Sequence, residues 1–359
     1  MKALVYSDWE KIELKDVPEP DPQPGEALVR VEACGICGSE LEAFHTRSPR
    51  RTPPLILGHE FCGTVEKVAG GDNSAGGSRN AGVKPGQRVV ANSVISCGKC
   101  YPCLRGERNL CVNRKLPGMG RPGAMAEYIA YPAEYLHPCP DSLDPAWGAL
   151  AEPLVNGIHM MGLARDYDEP LMAVIGVGPI GLMAFQAAKA VKNARLIVSD
   201  INEGRLKVAK ELGAERIVNP KKDNFVQSCI EFSKADGLDV CVDAVGTKVT
   251  KADSIEAIRP GGLAIWIGLR DNELTVPTFN ITLPEKKITG TYAGNADEYR
   301  TAVKLLSEKK VVGGSWIKKY SLSDGVTAFY DALHAEEKSG KSGYSGQDEI
   351  VIKYMLVAD

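Results

Sequence analysis

No stretch of this chain approaches the roughly 18 consecutive apolar residues that a membrane-spanning helix requires. The opening MKALVYSDWEKIELKDVPEP carries charges throughout and lacks the apolar core of a secretory signal, so a cytoplasmic location is expected. A basic excess is missing too: 43 Lys and Arg stand against 46 Asp and Glu, for a net charge of −3. Nucleic-acid binders normally carry a basic bias, so neither a nucleic-acid partner nor a membrane partner is expected. No internal repeat is found.

Cysteine, by contrast, is plentiful, with ten in the chain. In a reducing cytosol these read as metal ligands or core packing rather than disulfides. Hydrophobic residues make up 44% and charged residues 25%, as in ordinary globular enzymes, and 359 residues imply two domains.

The first 150 residues read as β-rich, with short strand-like runs such as MKALVYS, EALVRVEACG, FCGTVEKVAG and GQRVVANSV broken by Gly and Pro. From LMAVIGVG (171–178) onward strands and helices alternate through RLIVSD, EGRLKVAKELG, RIVN, LDVCVDAVG, LAIWIGL and KKITGTY. Continuous apolar strands separated by helices predict an α/β, doubly wound parallel sheet. The tail after about Asn295 reads as one amphipathic helix, DEYRTAVKLLSEKKV, and a final strand, DEIVIKYML. Two Gly/Ser-rich stretches, 70–86 and 338–346, read as long interruptions.

VIGVGPIG places Gly176-x-Gly178-x-x-Gly181 after a strand and at the start of a helix, the context a dinucleotide-binding turn requires. Gly176 permits the turn, Gly178 lets the backbone approach a pyrophosphate, and Gly181 packs the helix on the sheet. Pro179 and Ile180 open that helix, and Val245 and Gly268, past two later strands, join the expected cofactor contacts. Asp200 lies 19 residues after Gly181, where a carboxylate meets the ribose hydroxyls and disfavours a 2′-phosphate. NAD is therefore expected over NADP, although Arg205 nearby could stack on adenine or tolerate a phosphate.

SCGKCYPCLRGERNLC spaces Cys97, Cys100, Cys103 and Cys111 as C-x2-C-x2-C-x7-C. Four thiolates on one loop suit a closed tetrahedral zinc of structural kind. An iron–sulfur cluster matches the first two spacings but not the third, and free thiols are the remaining alternative. A closed site leaves no position for substrate, so catalytic ligands must lie elsewhere. Cys37 in EACGICGSELEAF, His59 and Glu60 in LGHEFCGTVEKV, and Glu152 in LAEPLVNGIH could supply a thiolate, an imidazole and a carboxylate to an open metal site. Taken singly, each reads more readily as a core cysteine, a satisfied histidine or a paired surface acid.

With CGICGSE, GHEFCG, VKPGQRVV, the four-cysteine loop, GAMAEYIAYP, EPL, VIGVGPIGL, VSDINEGRLKVAKELGA and RPGGLAIWIG in this order, the sequence resembles the zinc-dependent medium-chain dehydrogenases, and among them the polyol (sorbitol-like) branch. The resemblance implies a GroES-like β-rich catalytic domain (1–155 and 295–359) around a Rossmann NAD-binding domain (156–294). It implies two Zn2+ per chain. Cys37 and His59 match the catalytic-zinc ligands, and Glu60 matches a carboxylate that ligates directly or sits behind the ligands. Glu152 matches the acid that the polyol branch carries, Ser39 the hydroxyl that takes the substrate proton, and the four cysteines the structural zinc lobe. A homodimer or homotetramer is implied as well. The chain departs from the family at Ser39-Glu40, usually Ser-Asp, and at Glu42, where many members carry a relay histidine; His45 has no place in that relay.

The implied reaction moves a hydride between the secondary alcohol of a polyol, sugar or cyclitol and NAD. A sugar 1-dehydrogenase and an amino-alcohol dehydrogenase are alternatives within the family. A zinc-free quinone reductase, a redox protein built on the cysteine loop, and a non-catalytic NAD-binding protein are alternatives outside it. Arg47, Arg50 and Arg51 cluster in HTRSPRRTPP, with Arg114 and Arg121 beyond the cysteine loop. Guanidinium groups suit a phosphorylated or acidic substrate, whereas the bland alternative is a solvated loop or a subunit contact.

Overall fold

The run EALVRVEACG forms strand Glu26–Gly35, and most of its side chains are buried because it lies inside a sheet rather than at an edge. Its antiparallel neighbours are Glu60–Val68 and Lys353–Val357, and Tyr128–Pro132 also pairs with it. The sheet runs Leu136–Pro138, Arg88–Ala91, Glu60–Val68, Glu26–Gly35, Lys353–Val357, Ile317–Ser321. Register decides what meets at its centre: Gly35 stands opposite Glu60 on one side and Met355 on the other. The computed structural model that describes these elements covers residues 1–70, 82–339 and 350–359. The interruptions read at 70–86 and 338–346 therefore fall largely outside the described residues.

A smaller sheet of Lys11–Asp16, Lys2–Asp8 and Leu55–Ile56 belongs to the same compact unit, which comprises Met1–Glu152, Ala293–Gly340 and Lys353–Asp359. Its core gathers Leu4, Tyr6, Leu57, Phe61, Met125, Tyr131 and Phe329. Withdrawing each such side chain from water contributes about 1.5–3 kcal/mol.

The second unit centres on Pro153–Tyr292. Its six strands are all parallel, in the order Arg216–Val218, Arg195–Ser199, Leu171–Ile175, Leu238–Asp243, Ile258–Trp266, Lys287–Gly290. Numbered along the chain this is 3-2-1-4-5-6, the doubly wound Rossmann arrangement anticipated from the strand–helix alternation. The sheet's small apolar side chains, among them Ala173, Ile197, Cys241 and Ala264, are buried.

Several helices escape the sequence reading, among them Ala151–Leu163, which carries Glu152 in its first turn. The tail holds a second helix, Gly325–Ser339, besides Ala296–Ser307. Ala328, Phe329, Ala332 and Leu333 form its buried stripe, but polar residues after them blur the period. Within the β-rich half, Gly38–Thr46 is helical, and it carries Ser39, Glu40 and Glu42. No helix among the described residues is long and apolar enough to cross a membrane.

Candidate metal centres and dinucleotide turn

Cys37 is the N-cap of helix Gly38–Thr46. Glu40 closes the cap by accepting the Cys37 N–H at 3.1 Å. Glu60 opens the neighbouring strand and His59 immediately precedes it, and the ligand atoms of Cys37, His59 and Glu60 all lie within 4.8 Å of one another. One thiolate, one imidazole and one carboxylate, largely withdrawn from water, are the donor set of an open zinc site.

Three partners hold this set, and none was assigned a role from sequence. Glu40 is buried, and its Oε1 accepts the Gly58 N–H at 2.8 Å and lies 2.9 Å from His59 Nδ1. A carboxylate there fixes the ring hydrogen on Nδ1 and leaves Nε2 for a metal. Burial pushes the His59 imidazole down, but Cys37 and Glu40 outweigh it and raise its pKa overall. Lys353, 1% exposed, pairs with Glu60 and donates to the Ile36 carbonyl at 2.9 Å. Burial opposes its charge, but Glu60 and then Cys37 raise its pKa. Gly35 leaves the room: a Cβ there would stand 2.2 Å from Glu60 Oε2 and 2.8 Å from Lys353 Cε.

Glu152 does not join the closest set of Cys37, His59 and Glu60, but its carboxyl feels the charge of both His59 and Glu60. One of its carboxylate oxygens accepts the Ser93 hydroxyl at 2.8 Å. The Ser93 N–H donates to the Tyr299 hydroxyl at 3.1 Å, and the Tyr299 ring stacks on His137 with centroids 5.2 Å apart. Burial raises the Glu152 carboxyl, and it depresses His137 to about 4. Ser93 and Tyr299 are 206 residues apart, a juxtaposition with no local signal.

The arginine cluster disperses. Arg47 pairs with Glu10 at 2.5 Å. Arg51 is 6% exposed and donates to the Ser39 carbonyl at 3.0 Å and the Ser39 hydroxyl at 3.1 Å. Arg50 stays exposed. Arg121 pairs with Glu26 at 3.0 Å and lies over the Tyr131 ring, and Arg114 donates to the Cys111 carbonyl at 3.0 Å. Sequence proximity suggested a common anion site, but the side chains go to different partners.

In the cysteine loop, Cys97, Cys100, Cys103 and Cys111 bring their sulfurs within 4.8 Å of one another. Cys100 Sγ lies 3.4 Å from Cys103 Sγ and 3.7 Å from Cys111 Sγ. Tetrahedral zinc with bonds of about 2.3 Å spaces its sulfurs by about 3.8 Å, so the loop is shaped for that ion. The backbone N–H groups of Lys99 and Cys100 hold the Cys97 thiol down to about 6, whereas burial pushes Cys111 up to about 11.

In the second unit, Gly176 turns with φ +82° between strand Leu171–Ile175 and helix Pro179–Lys192. A Cβ on Gly181 would stand 1.7 Å from the Gly176 carbonyl. Gly178 is the helix N-cap, followed by Pro179 and Ile180, so the first turn beyond the proline has N–H groups without intrahelical partners that could meet a pyrophosphate. Val245 packs over Gly176, and Gly268 lies against the Val245–Gly246 backbone. Asp200 accepts the N–H of Val177 at 2.9 Å and of Asn202 at 2.8 Å, with Arg205 4.0 Å from its carboxylate.

Comparison with known proteins matches this architecture. Residues 23–141 match the alcohol dehydrogenase GroES-like domain and residues 179–308 the zinc-binding dehydrogenase family. An L-threonine 3-dehydrogenase of Pyrococcus horikoshii is 32% identical over 76% of this chain and 76% of its own. A protein of Aspergillus fumigatus named "Probable D-xylulose reductase A" is 31% identical over 94% of both chains. The crystal structure of an alcohol dehydrogenase from Thermus sp. ATN1 superposes with a TM-score of 0.86 at 27% identity over 100% of both chains. The chain belongs to the zinc-dependent medium-chain dehydrogenases, oxidoreductases that act on CH–OH donors.

Proposed function

We propose that this protein moves a hydride between the secondary alcohol of a neutral polyol, sugar or cyclitol and NAD. The observation that carries the reading is the Cys37–His59–Glu60 group, its His59 and Glu60 buried and Cys37 half-buried, with Glu40 behind His59 and the Ser39 hydroxyl 3.3 Å from Cys37 Sγ. A zinc ion in that group would lower the pKa of an alcohol hydroxyl, and the nicotinamide would accept the hydride from the carbinol carbon.

The remaining work falls to the chain itself. Ser39, in the first turn of its helix, takes the alcohol proton and passes its own outward. Glu40 keeps His59 in one tautomer and orientation. Lys353 holds the Glu60 carboxylate, so its charge is balanced with or without a metal. The turn at Gly176–Gly181 cradles the pyrophosphate, and Asp200 offers carboxylate oxygens to the ribose hydroxyls. Cys97, Cys100, Cys103 and Cys111 would hold a second zinc, of structural kind. Dispersal of the arginines favours an uncharged substrate over a phosphorylated or acidic one. Exposed Leu269, Phe279 and Leu283 on the second unit support a homo-oligomer joined through that unit.

The test is an NAD- and NADP-reduction screen over polyols, polyol phosphates, aldoses, cyclitols and L-threonine, with metal content measured on the same sample. The expected result is turnover of a neutral polyol with NAD and two zinc ions per chain. No reduction by any secondary alcohol, or a zinc-free active protein, overturns it.

A further inference from the structure

Arg51 is a buried cation with an unusual set of partners. The residue is 6% exposed, and the carboxylate it acts on is that of buried Glu40, whose pKa it helps to lower. Its Nε finds no acceptor. A buried charge needs compensation, which Glu40 supplies through its field rather than by direct contact, and both terminal nitrogens are aimed at a single other residue. Nη1 donates to the Ser39 carbonyl at 3.0 Å and Nη2 to the Ser39 hydroxyl at 3.1 Å. The segment that delivers it is short: after helix Gly38–Thr46 the chain turns back, with the Arg51 N–H donating to the Ser48 carbonyl at 3.0 Å.

A hydroxyl has one hydrogen and two lone pairs. Arg51 has only donors, so it takes one lone pair of Ser39 Oγ and leaves the Ser39 hydrogen to be given elsewhere. In this structure that hydrogen is donated to Cys37 Sγ at 3.3 Å, on the side of the metal-competent group. The second contact, to the Ser39 carbonyl, fixes the approach of the guanidinium and stops it from swinging away. Glu42, three residues after Ser39, is exposed and is not the group that orients it.

We propose that Arg51 is the positioning residue of the proton path: it holds the Ser39 hydroxyl with one lone pair filled, so that its remaining lone pair takes the alcohol proton. Resting on the dehydrogenase reading above, the sequence balances. The alcohol O–H proton goes to Ser39 Oγ as the hydrogen that Ser39 now gives to Cys37 turns to a solvent water and is passed to it, Ser39 being exposed, and the C–H electron pair departs with hydrogen to NAD. Once the alcohol has lost its proton, Ser39 faces the deprotonated oxygen as a donor. Arg51 strengthens that donation, because an oxygen bonded to a cation is a better hydrogen donor.

The test uses the full chain with both metals loaded, the variants R51Q, R51K, S39A and S39A/R51Q, and two readouts. The first is affinity for 2,2,2-trifluoroethanol with NAD in the cobalt-substituted protein, read from the visible cobalt bands. The second is the solvent deuterium isotope effect on kcat with the best alcohol of the screen. R51Q is expected to weaken trifluoroethanol by about tenfold or more, the scale of a hydrogen bond to a charged group, and to raise the isotope effect. R51K keeps the charge but loses the two-point contact, and its values should fall between wild type and R51Q. In the S39A background the R51Q change should add nothing. An R51K or R51Q protein that matches wild type in both readouts overturns the proposal, and so does an equal loss from R51Q with and without Ser39. A wild-type chain that oxidises no alcohol sinks the dehydrogenase reading instead, while trifluoroethanol binding still reports on Arg51.

Discussion

Glu40 and His59 are joined at 2.9 Å, carboxylate oxygen to ring Nδ1, with both side chains buried. The contact spans 19 residues and links a helix to the residue that immediately precedes the neighbouring strand. Changing Glu40 to Gln keeps the shape and removes the charge that orients the ring. Zinc affinity at the Cys37 site should fall by about 10–100-fold, as for other carboxylates behind a ligating histidine. Competition with a chromophoric chelator measures it, and wild-type affinity in E40Q would refute the role.

Lys353→Met leaves Glu60 buried without its cation. Breaking a buried pair from one side costs about 3–5 kcal/mol, and E60Q placed in the same chain should recover most of it. Urea unfolding of the single and double variants measures both. The folded pKa of Lys353 lies above its ordinary 10.5. Stability from the pair is therefore full below about pH 10.4 and declines as pH rises towards the higher folded value. The gap between wild type and K353M should shrink over that alkaline window.

The two cysteine sites should fail differently. Replacing Cys100 with Ser opens a closed four-sulfur site, so one zinc should be lost and the melting temperature should drop. Replacing Cys37 with Ser should abolish turnover while the melting temperature stays within a few degrees of wild type. Metal analysis and calorimetry on the two proteins separate the cases. A C37S protein with normal turnover contradicts the assignment.

Asp200→Asn loses the charge and keeps one acceptor for either the Val177 or the Asn202 N–H, leaving the other without one. The kcat/KM preference for NAD over NADP should fall by about tenfold or more, or about 1.4 kcal/mol of discrimination. Steady-state kinetics with both cofactors measures the ratio, and an unchanged ratio would show that the carboxylate does not set it.

What could be read from sequence is what is local. The strand–Gly-x-Gly-x-x-Gly–helix unit keeps all its parts within a few residues, and so does the four-cysteine loop. Cys37, His59 and Glu60 are farther apart, but each sits in a compact motif. The supporting residues carry no such mark. Lys353 reads as one lysine in a final strand, and its burial depends on sheet order and on a missing side chain at Gly35. Arg51 reads as part of a surface charge run, because nothing in RSPRRTPP tells that one of three arginines turns inward. Glu40 reads as a departure from Ser-Asp, although a longer acid does the work once the helix cap is formed. The helix Gly325–Ser339 is missed for a related reason: its apolar stripe is short and is completed by the core it packs on.

Lys353 reaches the Ile36 carbonyl across 317 residues of chain. On the ribosome, the ligand-bearing segments around Cys37 and His59 emerge early and must wait for a partner that is translated after the entire second unit. Closing so long a loop costs only slightly more than closing a moderate one, since the entropy grows with the logarithm of length. The delay is therefore one of timing rather than of stability. A nascent chain stopped after the second unit would expose Glu60 without its buried cation, so metal acquisition at this site should be among the last events of biosynthesis.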